Sequence, residues 1–512
     1  MLSYLSLPII LILGSGVCLR GEGSDPWNQF RGPNGSGIRA DADIGVLSMN
    51  DLLWKTPLPF GLSCPVLSED KIFLTGIEKN RLVTLSLDRK SGKILWKKKG
   101  PETVIEKFHQ SSSPATPTPF VEEKRLYVYF GSYGLICYNH EGLEIWKKPL
   151  PTPRSLYGTA SSPIVYENLL IQVIDDDANM PNSQVSRSRI LGIDKESGEI
   201  LWERFRPFHR SGWSTPTIWE HDISKELVVL GNGALRGYSL PDGEEKWQVD
   251  GFSRETIARP MTGNGKVYAS GSRLGGSADL KTDPLPFWKA VIEFDANGDG
   301  RLERTEMTGH FTFPFRPQLP PGHPGFGLPM PKEPEKKKAR LNGIFLKMDK
   351  NRDGFWDKEE FIDNLTIGRG KPLLLAVKPG GQGNVTHTHV EWEFNKGIPE
   401  VPSPILFKDF IYMISNGGVL TCVDTEKGQM IYRKRIGGLG QYVASPVVAG
   451  KNLILISEEG LVSVVRTGKD FELLGQLQLN EKIRVTPALG INNLYLRSES
   501  HLWAFDKMSN RP

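Results

Sequence analysis

The chain has only four cysteines in 512 residues, at positions 18, 64, 137 and 422. None are closely spaced, so there is no disulfide framework and no zinc-ligand pattern. Charge of one sign is also missing. Lys and Arg number 63 against 59 Asp and Glu, for a net charge of +4, which gives no field for a nucleic acid. Lysine runs at 97–99 and 336–338 are short and read as solvated faces. No segment after the N-terminus is apolar enough to span a bilayer. No P-loop, G-x-S-x-G or Rossmann fingerprint occurs in context. What is abundant is Gly (54) and Pro (37), almost a fifth of the chain. That suits many turns and falls short of a disordered composition.

The first residues, MLSYLSLPIILILGSGVC, carry an apolar run of about a dozen residues followed by small and polar ones, the pattern of a signal peptide. The spacing places it at 1–23, with cleavage between Cys18 and Gly23. A lipid anchor on Cys18 is the alternative. The expected mature protein is exported, to the periplasm, cell surface or medium. Cys64, Cys137 and Cys422 are then left as small buried hydrophobes.

A Pro-centred unit recurs: SCPVL, SSPAT, SSPIV, STPTI, ARPMT, PSPIL, ASPVV and VTPAL, with Pro65, Pro114, Pro163, Pro216, Pro260, Pro404, Pro446 and Pro487. Successive prolines lie 41 to 53 residues apart, except for one gap of 144. Spacings near 40–50 residues are those of four-stranded propeller blades. Each unit continues into an apolar strand such as KIFLTG or RLYVYFG, then a turn-bounded pair ending in an aromatic, as in SLDRKSGKILW and GIDKESGEILW. In D-x-x-x-G the Asp accepts local backbone N–H bonds and the Gly supplies positive φ. The terminal Trp can dock on a neighbouring blade. Eight units are expected. The last lacks its closing strand, and DLLWKTPL at 51–58 is placed to supply it and remove an open edge.

The long gap marks an insertion within the fifth unit. Blades one to the first part of five are expected over 24–280, the insertion over 281–370 and the rest of the propeller over 371–512. The insertion contains DANGDGRLERTE (295–306) and DKNRDGFWDKEE (349–360). In twelve-residue numbering the first offers Asp295, Asn297, Asp299, Arg301 through its carbonyl, Glu303 and Glu306. The second offers Asp349, Asn351, Asp353, Phe355 through its carbonyl, Asp357 and Glu360. Hard Ca²⁺ takes six to eight oxygens, Gly at position 6 makes the bend, and the final Glu binds through both oxygens. Apolar residues three and four apart precede each loop, in WKAVIEF and ARLNGIFLKM, as amphipathic helices require. The insertion resembles an EF-hand pair. It departs from that pattern at position 8, Leu302 in one loop and Trp356 in the other, and in its long Pro-rich spacer. Calcium there is expected as a structural element, with switching as the alternative.

The blade stretches resemble the quinoprotein-type (PQQ-like, WD40-like) eight-bladed propellers across nearly all of 50–510 outside the insertion. WNQFRGPNGSGI (27–38) and YVASPVVAGKNLILISEEGLVSVV resemble exported PQQ-like repeat proteins of planctomycete type. One branch of the resemblance implies a quinone dehydrogenase with a vicinal Cys pair, a calcium held in the channel and a catalytic Asp. This chain has no such Cys pair. The other branch implies a scaffold without a cofactor, like the outer-membrane barrel-assembly propeller.

Segments entering each innermost strand line one mouth of the channel, a place ligands favour. Here they carry His109, Arg154, Tyr157, His209, Arg210, Trp213, Arg254, Arg259, Tyr442 and Arg484. Forked donors and aromatic faces suit an anionic or sugar-like ligand, and inter-blade hydrogen bonding is the plainer role. Asp175–Asp177 read as a solvated loop, with a metal site as the alternative. His387 and His389 are expected on one strand face, as packing residues or as two of three metal ligands.

The expectation is therefore all-β: an eight-bladed propeller of four-stranded blades closed by an N-terminal strand, with a small α-helical EF-hand insertion in blade five. It is expected to be monomeric, to hold Ca²⁺ at two sites, and to bind a protein or an anionic or carbohydrate ligand at the mouth. It is expected to act as a scaffold, without assigned catalytic residues. The alternative is a PQQ-dependent alcohol or sugar oxidoreductase.

Overall fold

The computed structural model describes residues 27–177, 187–207, 209–271, 284–307, 311–314, 327, 330–331, 333–365, 372–438 and 440–507. The leader expected at 1–23, Cys18 and most of the Pro-rich spacer lie outside them. Eight antiparallel four-stranded sheets follow one another along the chain. Blade one is Val66–Leu67, Lys71–Glu78, Arg81–Asp88 and Ile94–Lys99, and the pattern repeats to blade eight. There the inner strands are Ala488–Leu489, Asn493–Arg497 and His501–Asp506, and the outermost strand is Leu52–Pro57. Trp54 pairs with Ala504 and Thr56 with Leu502. The N-terminal strand thus completes the eighth blade and closes the ring.

The second and third strands of each blade are sandwiched between neighbours, so both faces are apolar. Ile72–Ile77 and Leu82–Leu87 are almost continuously buried. The core accordingly sits between blades: Phe73, Val128 and Tyr138 between the first two, and Tyr127, Leu170 and Ile193 between the next two. Outer strands instead alternate, and Lys97–Lys99 lie exposed on such an edge, where charge discourages pairing with another sheet.

The repeated Trp and Gly act as fasteners between blades. The indole N–H groups of Trp54, Trp96, Trp146, Trp202 and Trp392 donate to carbonyls of Arg89, His140, Lys195, Leu240 and Thr425 in the next blade. Gly92, Gly142, Gly198, Gly243 and Gly428 hold positive φ in those turns, and a Cβ on any of them would sit within 2.9 Å of the docked ring. Trp247 breaks the series and donates to Glu226 of its own blade, because blade five has no D-x-x-x-G turn to receive it. Residues 383–384 instead run parallel to the outer strand of blade four.

In blade five, Lys266–Gly271 pairs with Leu373–Val377, so the insertion fills the turn between the second and third strands. By topology that turn opens on the face carrying the connections between blades. The insertion holds helices α1 (Leu285–Val291), α2 (Pro334–Met348) and α3 (Lys358–Asn364). A two-residue antiparallel pair joins Leu302 to Trp356. Trp356 is fully buried among Phe311, Phe313, Phe345 and Phe361.

His387 and His389 do not share a strand. The N–H groups of Thr388 and His389 both donate to the Val385 carbonyl, which winds 386–389 into a turn. His387 is exposed, and His389 bonds Thr388 Oγ1 through Nδ1.

Candidate functional site

The channel is filled by the chain itself. Residues 27–39 carry no strand periodicity, yet most of them are buried. Leu67 N–H of blade one donates to the Trp27 carbonyl, Val121 of blade two to Asn28, and Val448 of blade seven to Gly37, each at 2.8 Å. Asn34 exchanges bonds with the Ile218 backbone of blade four. The guanidinium of Arg31 donates to the Pro404 carbonyl before blade six, and that of Arg39 to Leu489 of blade eight. Ile38–Arg39 pairs parallel to the inner strand of blade seven. Inner strands otherwise present unpaired backbone to the channel, and the N-terminal segment satisfies it.

Arg259 belongs to this channel filling and not to a ligand-ready mouth. It is fully buried and donates to Thr217 Oγ1, the Phe30 carbonyl and Gln29 Oε1. A Cβ on Gly35 would fall 1.9 Å from Arg259 Nη1, so the glycine is required for this approach.

On the connection face, three of the expected residues meet. Tyr157 lies edge-on to both His109 and Trp213, with ring centroids 5.2 Å apart in each case. Trp213 is buried and donates to the Gly158 carbonyl, and His109 N–H donates to the Tyr157 carbonyl. The same connections carry exposed apolar side chains: Val104, Phe108 and Leu156 are 87%, 42% and 58% exposed. Arg154 is exposed nearby, its backbone held by Asp176 and Asp177.

The remaining expected residues are engaged internally. Arg484 binds Glu499 at 2.6 Å and the Gln110 carbonyl, bridging blade eight to the blade one–two connection. Arg210 pairs with Asp177 and Arg254 with Glu255. Tyr442 is buried and donates to the Gly437 carbonyl. Burial pushes its hydroxyl up to about 12. His209 is buried beside Arg206 and Arg236, and burial followed by those two charges drives its pKa far down, so the imidazole is neutral.

Sequence reasoning missed Glu106. It is buried below the aromatic file, accepts from Thr159 N–H and Oγ1, and takes a bond from Ser132 Oγ. Burial raises its pKa. It also missed the buried Asp175–Arg206 pair at 3.1 Å, which the acidic run had disguised as solvated loop. Neither belongs to a repeated motif that would have marked it.

The two acidic loops differ in how far their carboxylates are already engaged. In the first, Asp295 accepts from the N–H groups of Gly298 and Gly300, Asn297 from Asp299, and Asp299 from Arg301. Both oxygens of Glu306 are engaged, by the N–H groups of Ala296 and Asn297 on one and Glu303 on the other. Glu303 accepts from Thr305. In the second loop, Asn351 accepts from Asp353 and Asp353 from Phe355, while Asp357 caps α3 through Glu360 N–H. Asp349, Asp353 and Glu360 bring carboxylate oxygens within 4.8 Å of one another. Asp349 is 4% exposed, and its Oδ1 and the Oε2 of Glu360 are buried without partners. Asp353 is exposed and Glu360 Oε1 accepts from the Lys350 and Asn351 N–H groups; the two converging buried oxygens left without donors among the described residues, Asp349 Oδ1 and Glu360 Oε2, fit a hard divalent cation. Arg301 lies over the Phe355 ring at 4.6 Å and links the loops.

Comparison with known proteins follows the same lines. The model of a family described as outer membrane protein assembly factor BamB matches residues 40–223 and, overlapping, 84–299, together just over half of the chain. No curated protein matches it. Similar solved structures include BamB from Moraxella catarrhalis, with 11% identity, TM-score 0.49, 91% of this chain and 100% of that one covered. The computationally designed Ika8 protein gives 8% identity and TM-score 0.51 over 89% and 99%. Quinohemoprotein alcohol dehydrogenase from Comamonas testosteroni gives 12% identity and TM-score 0.49 over 94% and 80%. At these identities the likeness concerns the fold alone.

Proposed function

The chain belongs to the family described as outer membrane protein assembly factor BamB, and from that premise we propose that it is an exported, calcium-holding propeller that binds a protein partner on its connection face. The observation that carries this reading is the channel filled by residues 27–39. In an eight-bladed quinoprotein the channel would house the cofactor, and here its inner-strand amides and Arg259 are bonded to the chain's own N-terminal segment. The residues present do not fit a quinone there. The family description, with its reference to protein assembly, supports a protein partner.

The connection face suits that role. Val104, Phe108 and Leu156 offer apolar area beside the half-buried Tyr157 and the exposed His109 and Arg154, the mixture of aromatic, aliphatic and Arg side chains that protein interfaces use. Arg210, Arg254 and Arg484 are already paired with carboxylates, which disfavours an anionic or acidic-sugar ligand at the same place. Calcium fits the loop 349–360 through Asp349, Asp353 and Glu360, and 295–306 as a second site. Outside the cell, weak sites with Kd of about 10⁻⁴–10⁻³ M stay filled, so the ion rigidifies the insertion. Among the described residues no helix is long and apolar enough to cross a membrane.

Titration of the purified protein with pyrroloquinoline quinone, with and without calcium, tests the reading. The expected result is no saturable tryptophan quenching and no dye-coupled oxidation of alcohols or sugars. Saturable binding with turnover overturns it.

A further inference from the structure

Three arginines are fully buried at the centre of the propeller, and none has an acidic partner among the described residues. Arg31 comes from the N-terminal segment, Arg259 from the entry to blade five and Arg497 from blade eight; each is at most 1% exposed. Arg259 donates only to neutral oxygens, namely Thr217 Oγ1, the Phe30 carbonyl and Gln29 Oε1. Arg497 likewise donates to the carbonyls of Ser63 and Pro59 and to Ser63 Oγ. Among the described residues Arg31 makes one bond, Nη1 to the Pro404 carbonyl, and its Nε and Nη2 have no partner.

Taking an unpaired ion out of water costs several kcal/mol even after relaxation. Such a group escapes by losing its charge or by gaining a counter-ion. Loss of charge fails here. Burial pulls Arg31 and Arg259 down to about 9 and Arg497 to about 10, still well above neutrality. The neighbouring ionisable group, Cys64, does not supply a negative charge, because burial pushes its thiol up to about 11. After burial, the largest influence on Arg259 is the like charge of Arg31.

We propose that the channel holds a small monatomic anion of the chloride class, bound on the Nε–Nη2 edge of Arg31 and neutralising the Arg31–Arg259 pair. Nε and Nη2 form the fork with which a guanidinium chelates one acceptor. Gly37 and Ile405 crowd this edge: a Cβ on Gly37 would lie 2.9 Å from Nη2, 3.2 Å from Nε and 3.0 Å from Ile405 Cδ1, which excludes a polyatomic anion such as phosphate. Arg31 holds φ 65°, a conformation uncommon for a side-chain-bearing residue. The anion would fasten the N-terminal segment electrostatically where hydrogen bonds alone leave two donors bare.

Bromide replaces chloride and scatters anomalously, so crystals of the purified protein soaked in sodium bromide provide the test. The expected result is an anomalous peak within about 3.5 Å of Arg31 Nε and Nη2. In solution, the thermal midpoint should rise saturably with bromide over gluconate at equal ionic strength, and Arg31→Met should lose that rise. Absence of a peak at Arg31, or density there for water or a carboxylate of the chain, overturns the proposal. So does a bromide dependence that persists in Arg31→Met. The crystal result on the unaltered protein decides the matter even where the variant does not fold.

Discussion

Replacing Trp27 by Ala tests whether the N-terminal segment is structural filling or a loosely held tail. Trp27 is 1% exposed and belongs to the cluster that also contains Ile44, Leu67, Ala444 and Ile483. Gly32 packs so closely that a Cβ on it would meet the indole at 2.6 Å. Truncating a fully buried Trp costs about 3–5 kcal/mol. The indole N–H has no partner among the described residues, and removing an unsatisfied buried donor returns about 1 kcal/mol. The net expectation is a loss of about 2–4 kcal/mol, because the cavity effect outweighs the relieved donor. Urea unfolding followed by far-ultraviolet circular dichroism measures it. A loss below about 1 kcal/mol, the scale of an ordinary surface substitution, would refute the packing argument.

Two further outcomes follow from named contacts. Glu360→Gln should lower calcium affinity at 349–360 about 10- to 100-fold and Glu306→Gln that at 295–306, as read by calorimetry with Trp356 fluorescence as reporter; equal indifference of both sites would rule out the loop assignment. Glu481 joins the closing strand to blade eight through Lys55 at 2.5 Å, and it also meets Ser498 and His501. Burial alone would raise its pKa, but the bonds from Lys55 and Ser498 and the nearby charge of His501 outweigh that and hold it near 2, below its ordinary 4.5. A depressed carboxylate stabilises above its unfolded pKa and loses that stabilisation as pH falls through the folded one. The difference between the unaltered protein and Glu481→Gln should therefore be about 1–2 kcal/mol above pH 5 and shrink towards pH 2; a difference that grows on acidification contradicts this.

The blades were readable because the same physical problem recurs. At five junctions a Trp docks on the next blade and a Gly clears it, so the residues recur at blade spacing. The closing strand was readable for the same reason, since Trp54 carries the docking signature without its blade. Helices α1 and α2 followed from apolar spacing. The channel filling was not readable. WNQFRGPNGSGIR has the Gly, Asn and Pro of a solvated loop, and its burial arises from inner strands remote in sequence, from Leu67 of blade one to Leu489 of blade eight. Arg259 was misplaced for that reason: its position before a blade predicted the mouth, and the partner that buries it is remote in sequence. His387 and His389 were misplaced by local chemistry, because Val385 accepts two backbone bonds and turns what alternation suggested was a strand.

The central claim is that the propeller's own N-terminal segment seals its channel and leaves function to the surface. Hydrogen exchange at the amides of Leu67, Val121 and Val448, which donate to Trp27, Asn28 and Gly37, tests it most directly. The account predicts that these three amides are protected as strongly as the central strands of their blades. Exchange at the rate of exposed loops, with the central strands still protected, would show an open channel and contradict it.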